Sequence, residues 1–240
     1  MTIFVTGWDR VNNSLCGDIM HQYSVKSAST ETLLFSGQYR TLSECVAEAV
    51  ACGVSMRSAD FRNANLINAE LDGGDFSGAL FSGANLTGAN LSEADLRRTD
   101  FSNAVLHGAI LCDSDLSYSD FSGALFGATE IAGATLLNCI FSTLSAFTLP
   151  FDEADMIRDC IFINSCETPC PFSRQPLVVR GLSAPVMVMD RHIKIGHQIF
   201  PLDSIPAWIA SGNLAPRNLR LRLEQVVLSL IMDDKRPKIA

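Results

Sequence analysis

The sequence predicts a mainly β protein whose central part winds into a parallel β-helix. Two observations lead to this prediction. A five-residue repeat runs without a break from residue 59 to residue 143, with Leu, Phe or Ile at every third position and a small residue at every first position. A period of five fits neither the 3.6-residue period of a helix nor the two-residue period of a flat strand.

Short sides and regular corners account for this period. The first and third positions lie two residues apart, on one face of a short strand, whereas the next small residue comes three positions later, beyond a corner. Such sides stack into coils about 4.8 Å apart, with the large side chains inside. The third-position residues are Phe61, Leu66, Leu71, Phe76, Phe81, Leu86, Leu91, Leu96, Phe101, Leu106, Leu111, Leu116, Phe121, Phe126, Ile131, Leu136 and Phe141.

The units ADFRN, ANLTG and ANLSE resemble the pentapeptide-repeat family, whose consensus is A-(D/N)-(L/F)-x-x. The resemblance covers roughly a third of the chain. It implies a right-handed, four-sided parallel β-helix with four units per coil, and hence a little over four coils in a rod of roughly 20 Å. Because Phe151, Met156 and Ile161 continue the count in fives, we expect a distorted fifth coil centred on them.

Residues 1–57 are predicted to form a β-rich unit with a helix that caps the rod. The segments TIFV, MHQYSV and TLLFSG indicate three strands. A helix over 42–52 is indicated by the capping-box pair Thr41 and Glu44, by an apolar stripe of Leu42, Val46 and Val50, and by a stop at Gly53. A β-helix end exposes unpaired strand edges, and this helix would cover the first coil.

The repeat domain is assigned to 58–165, regular over 59–143, and a C-terminal α+β unit to 166–240. In that unit PLVVRG, PVMVM and IKIGHQIF predict strands, the last hinged at Gly196. The run DRHIKIGHQIF, followed by Trp208, resembles the C-terminal part of phage and prophage proteins of unassigned function. That resemblance implies a phage or prophage member of the family.

A helix predicted over 217–232 carries a wide apolar stripe. One interpretation is a two-fold homodimer through this helix, and the other is a helix that closes the C-terminal β-unit within one chain. The dimerisation candidates are Leu219, Leu223, Val226, Val227, Leu230 and Ile231.

Negative charge is concentrated in the repeats. The chain has 26 acidic and 18 basic residues, a net charge of -8, and residues 58–143 alone carry eleven acidic against three basic residues. This balance argues against binding to nucleic-acid phosphates or anionic membranes. With 20-residue coils, the side centred on Leu66, Leu86, Leu106 and Phe126 has no formal charge, and we expect it to pack against a flanking unit.

The carboxylates of the repeats gather on two neighbouring sides, and this gathering has two interpretations. Either they stabilise corners, or they form a DNA-like surface that binds a protein partner. The family resemblance favours the second, because family members bind DNA gyrase or topoisomerase IV in place of DNA. The rod is short for that role, which leaves bacterial anti-phage nucleases and CRISPR complexes as further targets. The partner-binding candidates are Glu70, Asp72, Asp75, Glu93, Asp95, Asp113, Asp115 and Glu130.

No motif for catalysis or for a cofactor was found. GxGxxG, Walker A and GxSxG are absent, and the spacing of Cys166 and Cys170 from His192 and His197 does not predict a zinc site. The eight cysteines show no disulfide framework and are expected to be mostly small buried residues. No signal peptide or membrane span is indicated, so we expect a cytoplasmic protein, in the bacterial cytosol if phage-encoded. The hypothesis is a non-catalytic inhibitor; the alternative is a scaffold or assembly protein that binds through its C-terminal unit.

Overall fold

The computed structural model describes residues 19–163, 169–173, 176–179, 186–189, 192–195 and 198–201. These residues form mainly short strands, with one α-helix of ten residues. Within these ranges no helix combines the length and apolar character needed to cross a membrane. The predicted strand TIFV and the predicted helix 217–232 lie outside the described residues.

Within the described residues, the N-terminal unit is a hairpin of two of the three predicted strands, followed by the predicted helix. Strands β1 (His21–Lys26) and β2 (Leu33–Tyr39) pair antiparallel. Helix α1 (Leu42–Ala51) begins after Thr41, whose hydroxyl accepts a hydrogen bond of 3.1 Å from the Glu44 N–H. It stops before Gly53, which has a φ of 71°. Both helix signals in the sequence are therefore confirmed.

Helix α1 and the hairpin cover the first end of the rod. The helix buries Cys45, Val46 and Ala49 most deeply, so its inner stripe is rotated from the predicted Leu42, Val46 and Val50. The Ser43 hydroxyl donates to the Ile67 carbonyl at 3.3 Å, and the Asp60 N–H donates to the Lys26 carbonyl at 2.9 Å. The predicted cap is thus joined to the first coil by hydrogen bonds as well as by apolar contact.

The repeats wind into a four-sided parallel β-helix with 20 residues per coil. Parallel bridges join residues 20 apart, such as Asp60 with Leu80 and Asn65 with Asn85. Every first- and third-position side chain from 59 to 143 is buried, as predicted. The longer pairings in the rod involve β3 (Val105–His107), β4 (Asp120–Phe121), β5 (Leu125–Gly127), β6 (Thr135–Leu137) and β7 (Ile140–Phe141). The ladder of stacked coils begins one unit before the predicted start of the repeat at residue 59, because the buried Met56 donates its N–H to the Asp75 carbonyl at 2.8 Å.

Each corner requires a left-handed backbone at the fifth position of the unit. All seventeen fifth-position residues from Ser58 to Asn138 have φ between 52° and 75°. The next N–H returns to the carbonyl three residues earlier, as from Ala64 to Phe61 at 3.0 Å. This is the pattern of a type II turn, in which Gly or Asn is favoured at the left-handed position.

A column of stacked phenylalanine rings fills one side of the interior. The rings of Phe61, Phe81, Phe101, Phe121 and Phe141 follow one another at centroid distances of 4.9, 5.3, 5.1 and 5.2 Å, with adjacent planes within 14° of parallel. The spacing of the rings follows the spacing of the coils. The backbone ladder therefore sets the ring separation, and the rings fill it.

Small polar residues at the first position are satisfied by carbonyl oxygens inside the rod. The hydroxyls of Thr99 and Ser119 donate to the Leu96 carbonyl at 2.6 and 2.7 Å, and the thiol of Cys139 donates to the Leu116 carbonyl at 3.1 Å. Because buried hydroxyls cost free energy only when they lack partners, these positions tolerate Thr, Ser and Cys in place of Ala.

The predicted fifth coil exists, but its predicted centres are partly wrong. Two 3-10 turns, Leu144–Thr148 and Phe151–Glu153, replace two sides, and then β8 (Met156–Arg158) pairs with β6 and β9 (Cys160–Ile163) with β7. Leu136 pairs with Ile157 and Phe141 with Phe162, an offset of 21. One extra residue between Phe151 and Met156 therefore moves the centres from Met156 and Ile161 to Ile157 and Phe162.

An antiparallel strand ends the rod, and a small sheet follows it. Strand β10 (Pro169–Phe172) pairs antiparallel with β9, so residues assigned to the C-terminal unit continue the rod. Four antiparallel strands follow: β11 (Leu177–Val179), β12 (Val186–Val188), β13 (His192–Ile195) and β14 (Gln198–Pro201). The segment IKIGHQIF is therefore two paired strands and not one hinged strand. The buried Lys194 places its Nζ 4.0 Å from the ring centre of Phe162, where the new sheet meets the end of the rod.

Candidate partner-binding surface of the rod

One side of the rod carries a row of exposed carboxylates, of which Glu70 accepts a hydrogen bond of 3.1 Å from the side-chain amide of Asn90. Glu70 and Asp72 belong to the first coil, Glu93 to the second, Asp113 to the third and Glu130 to the fourth, and all five are exposed. Within the described residues, none of them takes part in an ion pair with Lys or Arg. We call these five residues, with Asp152 and Glu153, the acidic face.

The fifth coil lengthens this row beyond what the repeat count showed. The Gly133 N–H donates to the Glu153 carbonyl at 2.9 Å, as the Asp113 N–H does to the Ala132 carbonyl, so Glu153 lies in the column of Cys112 and Ala132, next to the column of Glu93 and Asp113. Asp152 precedes it, and both side chains are exposed. The sequence contained the signal, since the count in fives reaches Phe151, but the irregular units obscured it.

The capping helix adds carboxylates next to the first coil. Glu44 and Glu48 line a groove together with Glu70 and Asp72. These helix residues were not among the predicted partner contacts, because only the fold brings the polar side of α1 beside the acidic face.

The thiol of Cys112 lies within the acidic face, where nearby carboxylates affect its pKa. Its Sγ is 4.0 Å from Oε2 of Glu130. Burial raises the pKa of this thiol, and the carboxylates of Glu130, Asp113 and Glu153 raise it further, although a hydrogen bond from the backbone at Ala132 opposes them. Carboxylates from three coils thus act on one point of the surface.

The other three predicted contacts, Asp75, Asp95 and Asp115, are engaged locally. Oδ1 of each accepts the N–H two residues later, at 3.0 to 3.2 Å. The Arg97 guanidinium donates to Asp95 at 2.8 Å and, through hydrogen bonding and charge, lowers the pKa of that carboxyl. Arg57 lies 3.6 Å from Asp75. The geometry of these three residues matches the corner-stabilising interpretation, so the eight predicted contacts divide into five outward and three local carboxylates.

Among the described residues, the uncharged side of the rod packs against a flanking unit at its first-coil end, near Ser43, and is exposed elsewhere. Ile67 is 40% exposed, Leu125 is 44% exposed, and His107 is also exposed. The Ser43 hydroxyl of the cap reaches this side through the Ile67 carbonyl. The sequence pattern showed the lack of charge but not the position of the flanking units.

A second surface feature was missed by the sequence analysis. Arg57, Arg97, Arg98 and Tyr118 line a groove of about 450 Å³ on a corner of the rod. The signal for it is the fifth position of the repeat, where Arg98 and Tyr118 stand in place of the Gly or Asn that the backbone favours.

Several predicted sites fall wholly or partly outside the described residues. The dimerisation candidates lie there, as do Cys166 and His197 of the cysteine and histidine spacing. Of the cysteines that are described, Cys45, Cys139, Cys160 and Cys170 are buried as predicted, whereas Cys52 is exposed and Cys112 is half-buried.

Comparisons with known proteins agree with the coil geometry. The family model for pentapeptide repeats matches residues 47–83 and 79–117, with eight repeat copies. A search among curated proteins gave no match.

Solved structures of pentapeptide-repeat proteins are similar to parts of the chain. A protein of the Arabidopsis thaliana thylakoid lumen shares 37% identity over 35% of this chain and 58% of that one, with a TM-score of 0.34. HetL, involved in heterocyst differentiation regulation in the cyanobacterium Nostoc, shares 31% over 40% of this chain and 41% of that one, also with a TM-score of 0.34. QnrB1, a plasmid-mediated fluoroquinolone resistance protein, shares 18% identity over 42% of this chain and 71% of that one, with a TM-score of 0.18. This chain thus spans little more than half of the first of these proteins and less than half of the second.

The family model matches the same units that stack every 20 residues, so the repeat in the sequence and the geometry of the coils agree. The chain therefore contains a β-helical domain of the pentapeptide-repeat family.

Proposed function

We propose that this protein is a non-catalytic inhibitor that binds a nucleic-acid-handling enzyme through its acidic face. The targets that fit are enzymes with a basic groove for duplex DNA, namely gyrase or topoisomerase, or a bacterial anti-phage or CRISPR nuclease. The site of action would be the bacterial cytoplasm, where such enzymes work.

The spacing of charge along the rod carries this proposal. The acidic face places seven carboxylates on five coils, from Glu70 to Glu153. With coils about 4.8 Å apart, the row has one negative charge per about 3.4 Å of rod. One strand of B-DNA carries one phosphate per about 3.4 Å along the helix axis, so the row matches the linear charge density of a single strand.

The surroundings of these carboxylates favour binding by long-range charge. Their side chains are exposed and have no cationic partner within the described residues, so their charge is available to a basic groove. Attraction of this kind speeds encounter and weakens steeply with added salt, because the Debye length falls from about 10 Å at 0.1 M to 3 Å at 1 M.

The proposal is tested by reversing charge on the acidic face. In the double variant Glu93→Lys and Glu130→Lys, both side chains are exposed and keep nearly their length, so folding should be retained. Target proteins captured from nuclease-treated bacterial lysate are identified by mass spectrometry, and their affinity is measured at 50 and 200 mM salt. We expect wild-type binding to weaken at least about tenfold over this range and to be displaced by duplex DNA. The double variant should bind at least about tenfold more weakly at 50 mM.

A matched control reverses two exposed carboxylates off the acidic face, Glu31→Lys and Asp159→Lys. It changes net charge by the same amount and should bind nearly as the wild type does. Binding that is insensitive to salt, to duplex DNA and to both double variants would contradict the proposal. It would favour instead a scaffold protein that binds through its C-terminal unit.

A further inference from the structure

We propose that the corner of the rod at Arg98 and Tyr118 is a binding site for a single oxyanion attached to a planar ring, such as an aryl carboxylate or an aryl phosphate. The acidic face does not include this corner, and the proposal does not depend on the inhibitor function. We call the groove formed by the seven residues below the arginine notch. They are Arg57, Ser58, Ser77, Gly78, Arg97, Arg98 and Tyr118.

The notch is shaped by a missing side chain. Ser58, Gly78, Arg98 and Tyr118 follow one another in the same corner column, one coil apart. Gly78 has no side chain and leaves an opening between its neighbours. A Cβ atom added at Gly78 would lie 3.4 Å from the Ser58 hydroxyl. The opening has a volume of about 450 Å³, which is within the range of small-molecule clefts.

Arg98 supplies the cation for an anionic ligand. Its guanidinium carbon lies 5.9 Å from the centre of the Tyr118 ring, a cation–π distance, and among the described residues it forms no ion pair. Arg97, by contrast, is neutralised by Asp95, and Arg57 is only loosely paired with Asp75 at 3.6 Å. One guanidinium is thus available, with a second nearby that a ligand can recruit.

Tyr118 supplies a stacking surface. The side chain is 57% exposed although it is aromatic, and it is fixed beside Arg98 by the corner geometry. A planar ring in the ligand can stack on Tyr118 while its oxyanion accepts from the guanidinium fork of Arg98.

The backbone indicates that these two side chains are retained at a conformational cost. Arg98 has φ 58° and Tyr118 has φ 65°, a left-handed conformation that is unfavourable for residues other than Gly or Asn. Gly occupies the equivalent corner at Gly83, Gly88 and Gly123. Arg98 and Tyr118 thus stand one coil apart in the same corner column, at positions where Gly or Asn would cost less.

Charge limits the ligand to one anionic group. Asp75, Asp95 and Asp115 border the notch, and the repeats carry eight more negative than positive charges. A polyphosphate or a nucleic-acid strand would bring several negative charges close to these carboxylates, whereas a single oxyanion brings one, which its contact with Arg98 offsets.

The test is an NMR titration of the whole chain with four probes: benzoate, phenyl phosphate, inorganic phosphate and the neutral benzyl alcohol. We expect saturable shifts of the Arg98 side-chain N–H and the Tyr118 ring with benzoate and phenyl phosphate, at millimolar dissociation constants. Benzyl alcohol and inorganic phosphate should bind at least about tenfold more weakly, because each lacks one of the two contacts. The relative affinity of the two aryl acids assigns the ligand as carboxylate or phosphate.

Two variants remove the site without straining the fold, because Gly suits a left-handed corner. Arg98→Gly and Tyr118→Gly should fold and should each lose at least about tenfold in affinity. Glu93→Gly makes the same backbone change on another corner, and Arg158→Gln removes a charge from the same side of the rod, so both should bind as the wild type does. Unchanged titration curves in Arg98→Gly, or equal shifts at Arg158 and Arg98 in the wild type, would overturn the proposal.

Discussion

Replacing Phe101 by Ala tests the stacked interior directly. The ring has no solvent exposure and lies between Phe81 and Phe121, with centroid distances of 5.3 and 5.1 Å and planes within 6° of parallel. The general cost of deleting a buried Phe is about 3 to 5 kcal/mol. Backbone bonds hold the adjacent coils apart, from the Phe81 N–H to the Asp100 carbonyl at 2.7 Å and from the Phe101 N–H to the Asp120 carbonyl at 2.8 Å. The rings therefore cannot collapse into the gap, and we expect a loss in the upper half of the range, about 4 to 5 kcal/mol.

The measurement is equilibrium unfolding in urea followed by circular dichroism. Phe101→Leu keeps most of the volume and should cost about 1.5 kcal/mol or less. Leu125→Ala removes an apolar side chain that is 44% exposed, and should change the free energy of unfolding by about 0.5 kcal/mol. A loss below about 1 kcal/mol for Phe101→Ala, or a loss equal to that of Leu125→Ala, would refute the stacked column and the register on which it rests.

Two further predictions concern a corner and the end of the rod. Gly123→Ala should destabilise the protein more than Gly108→Ala does, by at least about 1 kcal/mol. Both glycines have positive φ, but of the two only a Cβ at position 123 would overlap the Asn103 side chain. Equal losses of stability in thermal unfolding would show that the overlap is relieved at no cost. Burial lowers the pKa of Lys194 from 10.5 to about 8, so the unfolded chain holds more protons than the folded chain between these values and stability should rise with pH there. Urea unfolding at pH 7.5, 8.5 and 9 should show this rise in the wild type and not in Lys194→Met. Measurements stop near pH 9 because burial raises the pKa of Cys170 to about 11, so that thiol lowers stability with rising pH above its unfolded pKa. Parallel pH profiles for the two proteins would contradict the assignment to Lys194.

The regular part of the rod could be predicted because its period has one structural solution. Small first positions and large third positions each have to face inward, and only a five-residue side with a corner does this for seventeen units in succession. The capping helix was also predictable, since Thr41 and Gly53 act locally at its two ends. Both successes depend on interactions between near neighbours in the sequence.

The end of the rod was not predictable from the same count. Met156 stands next to Ile157 and Ile161 next to Phe162, so a shift of one residue still leaves an apolar side chain at each centre. Periodicity cannot locate an inserted residue where both neighbours are apolar. The pairing partners decide the register instead, and Cys139, Ile140 and Phe141 fix it through their contacts with β9.

The position of an acidic residue within its unit and the length of its side chain together determine whether it is engaged locally. Glu70 and Glu130 stand at the second position and are nevertheless exposed on the acidic face. At the second position Asp accepts the N–H two residues later, as Asp95 does, and so contributes to the corner. At the fifth position the side chain leaves the turn and projects outward, as in Glu93 and Asp113. Counting acidic residues by side of the coil merged these two classes, because the count ignored the position of each residue within its unit.

The fifth position also connects the two proposed surfaces. Glu93 and Asp113 occupy the corner before the side centred on Leu96 and Leu116, and Arg98 and Tyr118 occupy the corner after it. Gly or Asn would fit each of these four corners at least as well as the residue present, so their side chains are not explained by the stability of the turns. A partner that covers the acidic face and extends across this one side of the rod meets Arg98 next. Such a partner needs a mainly basic surface with one acidic or anionic group at its edge, and that asymmetry would fix its orientation along a rod whose coils are otherwise alike.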